Sequence, residues 1–469
     1  MNATSRWTPR TLRTASIAAL LLASGLAAAG QVPAGCTALF AAQAASDADS
    51  ADGQYQRIEG FSGLRSDRLL AALGPTARTP AQRRLWLQQL AARDAEASAV
   101  ERGNSRADAA KGPDPQPLDD CRAYQVAYLM NDTEAFDRVV AAARVPDDYR
   151  NGARILGLYS LFKPFYRRGI DAWQAEAATA SAPQDGARWL TYQPLDETAA
   201  PLLLPLNQDA LGLPQPDPRQ RAALFARHAP ILRLEQLSRA DRLGSPLYDA
   251  AARRGFDTLA PQLYQHLGWS KLGERWHLQL VYQFWFSQRP KPHALDLLGG
   301  ELDGLIWRVT LDDQGAALLY DAIHPCGCWH ALFLPATSPL QVAAAPAEQE
   351  RRLTHRLDLD GRSAATLWLS GGAHRLQWVD GRGSNYPAIG YRRVALDQLR
   401  QLPHPQGRRS LYQPDGLVAG SERLERWLLW PSGVRSPGAM RQWGRHATAF
   451  IGRSQFDDPQ LLNTYLRQP

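Results

Sequence analysis

The sequence predicts an α+β protein with an N-terminal helical domain, then an antiparallel β-sandwich-like domain, then C-terminal helices. Three observations carry this expectation. Apolar residues follow the helical period up to about residue 178 and the strand period beyond about residue 217. A Pro-rich stretch over 179–216 separates the two regimes. The period-two segments follow one another without intervening helices, which favours antiparallel pairing over a parallel sheet.

At the amino end, Arg6, Arg10 and Arg13 precede the apolar run from Ala15 to Gly30. That run is shorter than the roughly 20 residues a spanning helix needs, and it reads as an export signal. Ala27–Ala29 suits an ordinary signal peptidase. Pro33–Cys36, "PAGC", has the form of a lipobox, which makes Cys36 a candidate lipidation site. Residues 1–36 are thus a signal peptide or lipoprotein signal. Residues 37–58, rich in Ala, Asp, Ser and Gln, read as a flexible tether.

The helical domain is expected over 59–178. Thr79 as N-cap with Pro80 at the first helical position starts a long helix whose apolar face is Leu85, Leu87, Leu90 and Ala91. "GPDPQP" (Gly112–Pro117) ends it. Cys121–Met130 and Glu134–Arg144 form a helix pair, with capping-box spacing between Asn131 and Glu134. "YSLFKPFYRRGIDAWQAEA" follows as an aromatic, basic helix interrupted at Pro164.

Beyond the 179–216 connector, Asp217-Pro218 caps a short helix ending near His228. The β-rich domain is expected over 217–435. In "HLQLVYQFWFS" (His277–Ser287), Leu278, Leu280, Tyr282, Phe284 and Phe286 share one face, while Gln279, Val281, Gln283 and Trp285 share the other. "LIWRVTL" (Leu305–Leu311) alternates likewise and turns at Asp312–Gly315 into "AALLYDAIH". Strands over 353–359, 365–370 and 374–379 follow, with Gly371-Gly372 as the last turn. "GAMRQWGRHATAF" and "DPQLLNTYL" return to helical spacing, so 436–469 is expected to be helical.

Formal charge is +7, and three of those charges are the arginines of the export signal. No dense Lys/Arg stripe appears, which gives no support to a nucleic-acid partner. Four cysteines are present: Cys36, Cys121, Cys326 and Cys328. In an oxidising envelope, with Cys36 lipidated or removed, the remaining three favour one disulfide and one thiol, with Cys121 bridging Cys326 or Cys328.

"HPCGCWH" holds His324, Cys326, Cys328 and His330 at alternate positions. An extended strand would separate the two histidines by about 20 Å, so a shared ion requires the chain to fold back. Pro325 and Gly327 permit that. Four readings stay open: a structural disulfide, packing thiols, soft-metal ligands (Cys326, Cys328, His324, His330), or a redox pair. Glu301 and Asp303 beside Gly299-Gly300, together with Asp321 and His324, could share one rim at neighbouring strand ends. That rim is the candidate catalytic constellation, because paired carboxylates and a histidine suit acid–base work or a hard cation. His374 could join it from another strand, and His446 reads as a packing residue. Signatures of a nucleophile elbow, phosphate loop, zincin helix or dinucleotide fingerprint are missing.

Several stretches, among them "DRLLAAL", "VPDDYRNGARILGLYSL", "LDLLGGELDGLIWRVTL", "YDAIHPCGCWH" and "SLYQPDGLVAGSERLERWLLWP", resemble a family of uncharacterised proteobacterial envelope proteins. The resemblance implies a periplasmic or outer-membrane-anchored location in a Gram-negative cell and assigns no chemistry. A fainter likeness is to the sandwich of vacuolar-sorting-like and necrosis-inducing-toxin-like proteins. Its counterparts here are "VYQFWF", Gly300–Asp303 and the strand ending at His324, with Leu302 where that pattern has tryptophan. It is taken to imply a sandwich alone. The leading expectation is an exported binding or structural module without a cofactor, whose partner is an envelope protein or a glycan or lipid ligand, and which touches the membrane only through a lipid anchor. The alternatives are a metal-dependent hydrolase (Zn or Ca) on the Glu301/Asp303/His324 rim and a thiol-redox protein using Cys326 and Cys328.

Overall fold

The computed structural model describes residues 33–105, 112–183, 188–195, 202, 204–344, 346–381 and 387–468. Residues 1–32 of the expected signal segment, 1–36, lie outside the described residues. An N-terminal helical region leads to one large mixed sheet curled into a nearly closed barrel, and the chain ends in short helical turns.

The helices are α1 (Ala34–Ser46), α2 (Arg68–Leu73), α3 (Pro80–Asn104), α4 (Pro115–Asn131), α5 (Thr133–Ala142), α6 (Asn151–Leu156), α7 (Tyr159–Ala178), α8 (Pro218–Arg227) and α9 (Arg426–Leu429). Helix α3 starts as its sequence dictates. Thr79 accepts from the Gln82 amide and Gln82 returns the bond, while Pro80 fills the first turn, where its missing N–H costs nothing. Asp132, rather than Asn131, caps α5 through the Ala135 amide. Helix α7 continues through Pro164 instead of breaking there. Trp86, Leu87 and Leu90 of α3 pack with Leu129, Phe136 and Val139 of α4 and α5 in one apolar cluster.

The stretch read as a tether is ordered. Helix α1 buries Cys36 and Phe40 against Leu118 and Cys121 of α4. Cys36 and Cys121 are bonded, with Cα atoms 5.5 Å apart, within the usual span of a disulfide. The expected bridge from Cys121 to Cys326 or Cys328 is therefore corrected: Cys326 and Cys328 are both free thiols. The sequence count went wrong by setting Cys36 aside. A sulfur held in this bridge also carries no thioether-linked lipid.

The strands of the large sheet are β1 (Trp189–Pro194), β2 (Ile231–Glu235), β3 (Leu243–Tyr248), β4 (Arg254–Asp257), β5 (Gln262–Leu272), β6 (Arg275–Arg289), β7 (Gly300–Leu311), β8 (Ala317–Ile323), β9 (Ala331–Pro335), β10 (Leu353–Leu357), β11 (Thr366–Leu369), β12 (Leu376–Asp380) and β13 (Ala388–Ala395). They run in the order β10-β9-β8-β7-β6-β5-β13-β1-β2-β11-β12, with β3 on the far end of β6 and β4 on β3. The β5–β9 meander is antiparallel, as its short connections require. Four pairings are parallel: β9 with β10, β11 with β2, and β13 with both β1 and β5. The sheet is thus mixed and continuous, where two stacked antiparallel sheets were expected. Strand β1 comes from within the expected connector, so 179–216 belongs partly to the sheet.

Strand parity sorts the side chains. Leu280, Tyr282, Phe284 and Phe286 of β6 and Leu305, Trp307 and Val309 of β7 point into the barrel core. Val281, Ile306, Leu319, Ile323 and Leu332 point outward, where Phe456, Leu461, Leu462 and Tyr465 cover them. The carboxy-terminal segment thus seals the outer face of the meander. It does so with turns and one 3-10 turn at Leu461–Thr464 rather than with long helices. Gly438 and Gly444 adopt left-handed φ values of 82° and 87°, which helical spacing alone does not reveal. Helix α8 inserts Leu224 and Phe225 into the core, and the Tyr282 hydroxyl donates to the Phe225 carbonyl at 3.0 Å.

The edge strands β10 and β12 both pack on the same core, through Leu353, Leu357 and Leu376. Helix α7 lies at this seam. Trp173 meets Trp329 edge-on at 5.0 Å, and Gln174 donates to the Arg351 carbonyl at 2.8 Å. No helix among the described residues is long and apolar enough to cross a membrane.

Candidate functional site

Asp303 lies near the start of β7. Leu302 before it has φ +53°, and the pairing steps from Glu301–Gln288 to Asp303–Phe286 across this kink. The guanidinium of Arg423 holds the carbonyls of Glu301 and Leu302 there. Asp303 shares the inward parity of Leu305 and Trp307, so its carboxylate enters the barrel.

Asp303 meets two histidines. Its Oδ1 lies 3.2 Å from His324 Nδ1 and its Oδ2 lies 2.9 Å from His374 Nδ1. His374 sits in the turn after β11 at φ +49°, stacked on Phe286 with ring centroids 3.9 Å apart. Its Nε2 reaches Asp241 Oδ1 at 3.1 Å. Asp241 also accepts from the amides of Ser238 and Gly372, both at 2.6 Å, and of Leu237 at 3.0 Å. The result is a buried chain, Asp241–His374–Asp303–His324.

The chain's protonation follows from its geometry. Both nitrogens of His374 face carboxylate oxygens, which only accept, so the ring is an imidazolium donating to each side. Burial opposes that charge, but Asp241 and Asp303 raise the His374 pKa above its ordinary value. Burial likewise opposes the Asp303 charge, yet His324 and then His374 hold its carboxyl far below the usual range. Asp241 is held down to about 2 against burial, by His374 and by the Gly372 and Ser238 amides. His324 donates from Nδ1 to Asp303, so in the neutral ring Nε2 carries the lone pair. That Nε2 is buried and has no hydrogen-bond partner among the described residues.

His324 lines a small cavity of about 40 Å³ at the seam. Its other walls include Trp173 of α7, Trp329, His355 of β10 and Arg375. Trp329 takes a left-handed φ of 63°, and the Arg375 guanidinium lies 5.7 Å from its ring centroid. The cavity is therefore lined by indole, imidazole and guanidinium side chains together.

The expected rim divides. Asp303 and His324 come together, and His374 joins them. Glu301 is exposed and pairs with Arg254 instead. Asp321 has outward parity and belongs to a separate network. Arg308 grips it with two bonds of 2.9 and 2.6 Å, and His330 Nε2 lies 2.9 Å from its Oδ2. The Arg308 guanidinium stacks over the Phe456 ring at 3.7 Å. Burial draws His330 down to about 4, so the ring is neutral and donates to Asp321.

"HPCGCWH" is a tight turn between β8 and β9. The His324 amide donates to the Cys328 carbonyl at 3.0 Å and the Gly327 amide to the His324 carbonyl at 2.8 Å. Gly327 has φ +89°, and a Cβ there would lie 2.2 Å from the Ala447 carbonyl oxygen. The turn sends His324 into the barrel and His330 to the outer face, so the four proposed metal ligands do not converge. Among the described residues no three His, Cys, Asp or Glu side chains gather in a metal-holding cluster. Cys326 is buried with Leu302 and Met440, and the Cys328 amide donates to its sulfur at 3.4 Å. A hydrogen bond to Cys326, together with burial, raises the Cys328 thiol well above its ordinary value.

Sequence reasoning missed Asp241 and Arg308. Asp241 closes a capping box with Ser238, a signal that reads as local structure only. Arg308 lies opposite Asp321 in the β7–β8 register only because a bulge between Thr310 and Leu311 shifts the pairing by one residue from the register of the Asp312–Gly315 turn. The chain matches no family model, no curated protein and no solved structure.

Proposed function

We propose that this is an exported envelope binding module whose seam cavity holds the hydroxyl-bearing end of a glycan or polyol. The observation that carries the reading is the buried, unpartnered His324 Nε2, with the ring oriented by Asp303. An unsatisfied buried acceptor is costly, which favours a ligand that brings a donor. The Trp173 and Trp329 faces suit the C–H side of a sugar, and Arg375 suits its further oxygens. A cavity of about 40 Å³ admits a terminal hydroxyl group and not a whole ring. The Cys36–Cys121 bridge supports an oxidising compartment. The resemblance to proteobacterial envelope proteins agrees with this location.

An oriented Asp–His pair also has the form of a general base. No Ser, Thr or Cys is among the described residues lining the cavity, so such a base would act on water or on the ligand's own hydroxyl. The metal-dependent reading lacks converging ligands among the described residues. The thiol-redox reading is disfavoured by the raised Cys328 pKa, since the thiolate is the nucleophile.

Titration calorimetry with glycerol and a panel of mono- and disaccharides tests the binding reading. Binding by the wild type that is lost in His324→Phe, which fills the cavity, supports it. No heat with any member, or equal heat in both proteins, overturns it.

A further inference from the structure

A second surface is unexplained by the His324 site. Helix α6 and the first half of α7 expose Ile155 (73%), Leu156 (80%), Leu161 (73%) and Phe165 (66%). Helix α9 adds Trp427 at 65% and Leu428 at 53%, and the loop before β7 adds Leu295 at 81%. These segments adjoin one another. The Arg150 amide donates to the Gly433 carbonyl at 2.7 Å, and the Arg154 Nε to the Ser432 carbonyl at 2.7 Å. Phe165, Leu295, Leu297 and Leu428 share one open, mainly apolar groove of about 420 Å³, whose lining also includes Asp296 and Glu425. Such contiguous apolar exposure marks an interaction surface.

The charge around it identifies the partner. Residues 150–170 contain Arg150, Arg154, Lys163, Arg167 and Arg168 and no Asp or Glu. Lys163 is paired with Glu348, Arg154 and Arg167 donate to backbone carbonyls, and Arg167 and Arg168 are exposed on α7. The Arg426 guanidinium lies 4.9 Å from the Trp427 ring centroid. Leu, Phe and Trp tips fringed by Arg are what an anionic bilayer surface accepts. The apolar tips enter the headgroup boundary, and guanidiniums near the surface are drawn to the anionic headgroups.

We infer that the α6–α7–α9 face seats the protein on an anionic lipid surface without a spanning helix. This goes beyond the ligand reading and uses none of its residues. It also gives membrane contact a route independent of Cys36, whose sulfur is held by Cys121.

Co-sedimentation of the full chain with vesicles tests it, comparing phosphatidylcholine alone with phosphatidylcholine containing about 30% phosphatidylglycerol, which supplies the anionic surface. Anionic vesicles should bind at least about tenfold better than neutral ones, with the difference lost in high salt. Phe165→Ser with Trp427→Ser, and separately Arg167→Glu with Arg168→Glu, should each reduce binding at least about tenfold. These positions are exposed, so an unchanged melting temperature shows that the variants fold. Failure to bind either vesicle, or binding untouched by both variants, overturns the proposal. A self-associating wild type made monomeric by Phe165→Ser, without vesicle binding, overturns it in favour of a second copy.

Discussion

His374 Nδ1 lies 2.9 Å from Asp303 Oδ2, although 71 residues separate them in the chain. The contact joins the turn after β11 to the kinked start of β7, and it makes His374 a cation held between two carboxylates. Removing one member of such a buried set leaves an uncompensated charge, which costs about 3–5 kcal/mol. His374→Gln should therefore lower stability to urea by roughly 3 kcal/mol at pH 6.

The pH dependence of that loss has a defined sign. His374 has a raised folded-state pKa, so its contribution is fully present below the unfolded value of 6.5 and fades as pH rises through the folded one. The stability gap between wild type and His374→Gln should shrink from pH 6 to pH 9. Burial lowers His330 to about 4 and His446 to about 3, so both act in the opposite direction. They contribute neutral-form stability that is lost as pH falls from 6.5 towards those values. Urea midpoints across this range measure both trends, and a gap that widens with pH contradicts the assignment of His374.

On the outer face, Arg308→Met should cost about 3–5 kcal/mol, because Asp321 stays buried with only a neutral histidine. The double variant Arg308→Met, Asp321→Leu should recover much of this, since apolar side chains suit the surrounding Ile306, Leu319 and Phe456. A double-mutant cycle by chemical denaturation decides it.

Peptide mapping under non-reducing conditions should find one bridge, Cys36 to Cys121, with Cys326 and Cys328 both alkylated after denaturation. The bridge closes a long loop, with a sequence separation of 85 residues, so Cys121→Ser should cost about 2–5 kcal/mol. A thioether lipid on Cys36 in the mature protein, or a bridge to Cys326 or Cys328, contradicts this pairing.

Much of this architecture was legible in the residues themselves. Alternation in "HLQLVYQFWFS" assigned each β6 side chain to its face, and Asp312–Gly315 placed the hairpin. Strict alternation carried through that hairpin would set Asp321, and not His324, on the Asp303 face. The bulge between Thr310 and Leu311 reverses this, and no local spacing announces it. Long-range closure was not legible. Parallel pairing of β13 with β1 and β5, and the approach of Asp241 to Gly372, depend on contacts that no local spacing encodes. The 37–58 segment misled because its small polar residues are held by one distant disulfide and by Phe40.

Gly327→Ala tests the turn that aims His324. Its left-handed backbone alone costs about 1–2 kcal/mol for an L-residue, and the Ala447 carbonyl leaves no room for a methyl group. The variant should lose stability by at least that amount in thermal melts and weaken any His324-dependent ligand binding.

The most direct test of the central claim is the tautomer of His324, read by long-range ¹H–¹⁵N NMR of the histidine side chains at neutral pH. The predicted result is a ring protonated at Nδ1, with an unprotonated Nε2 whose resonance shifts when a binding saccharide or polyol is added. A ring protonated at Nε2, or an Nε2 signal that no member of the panel moves, would contradict it.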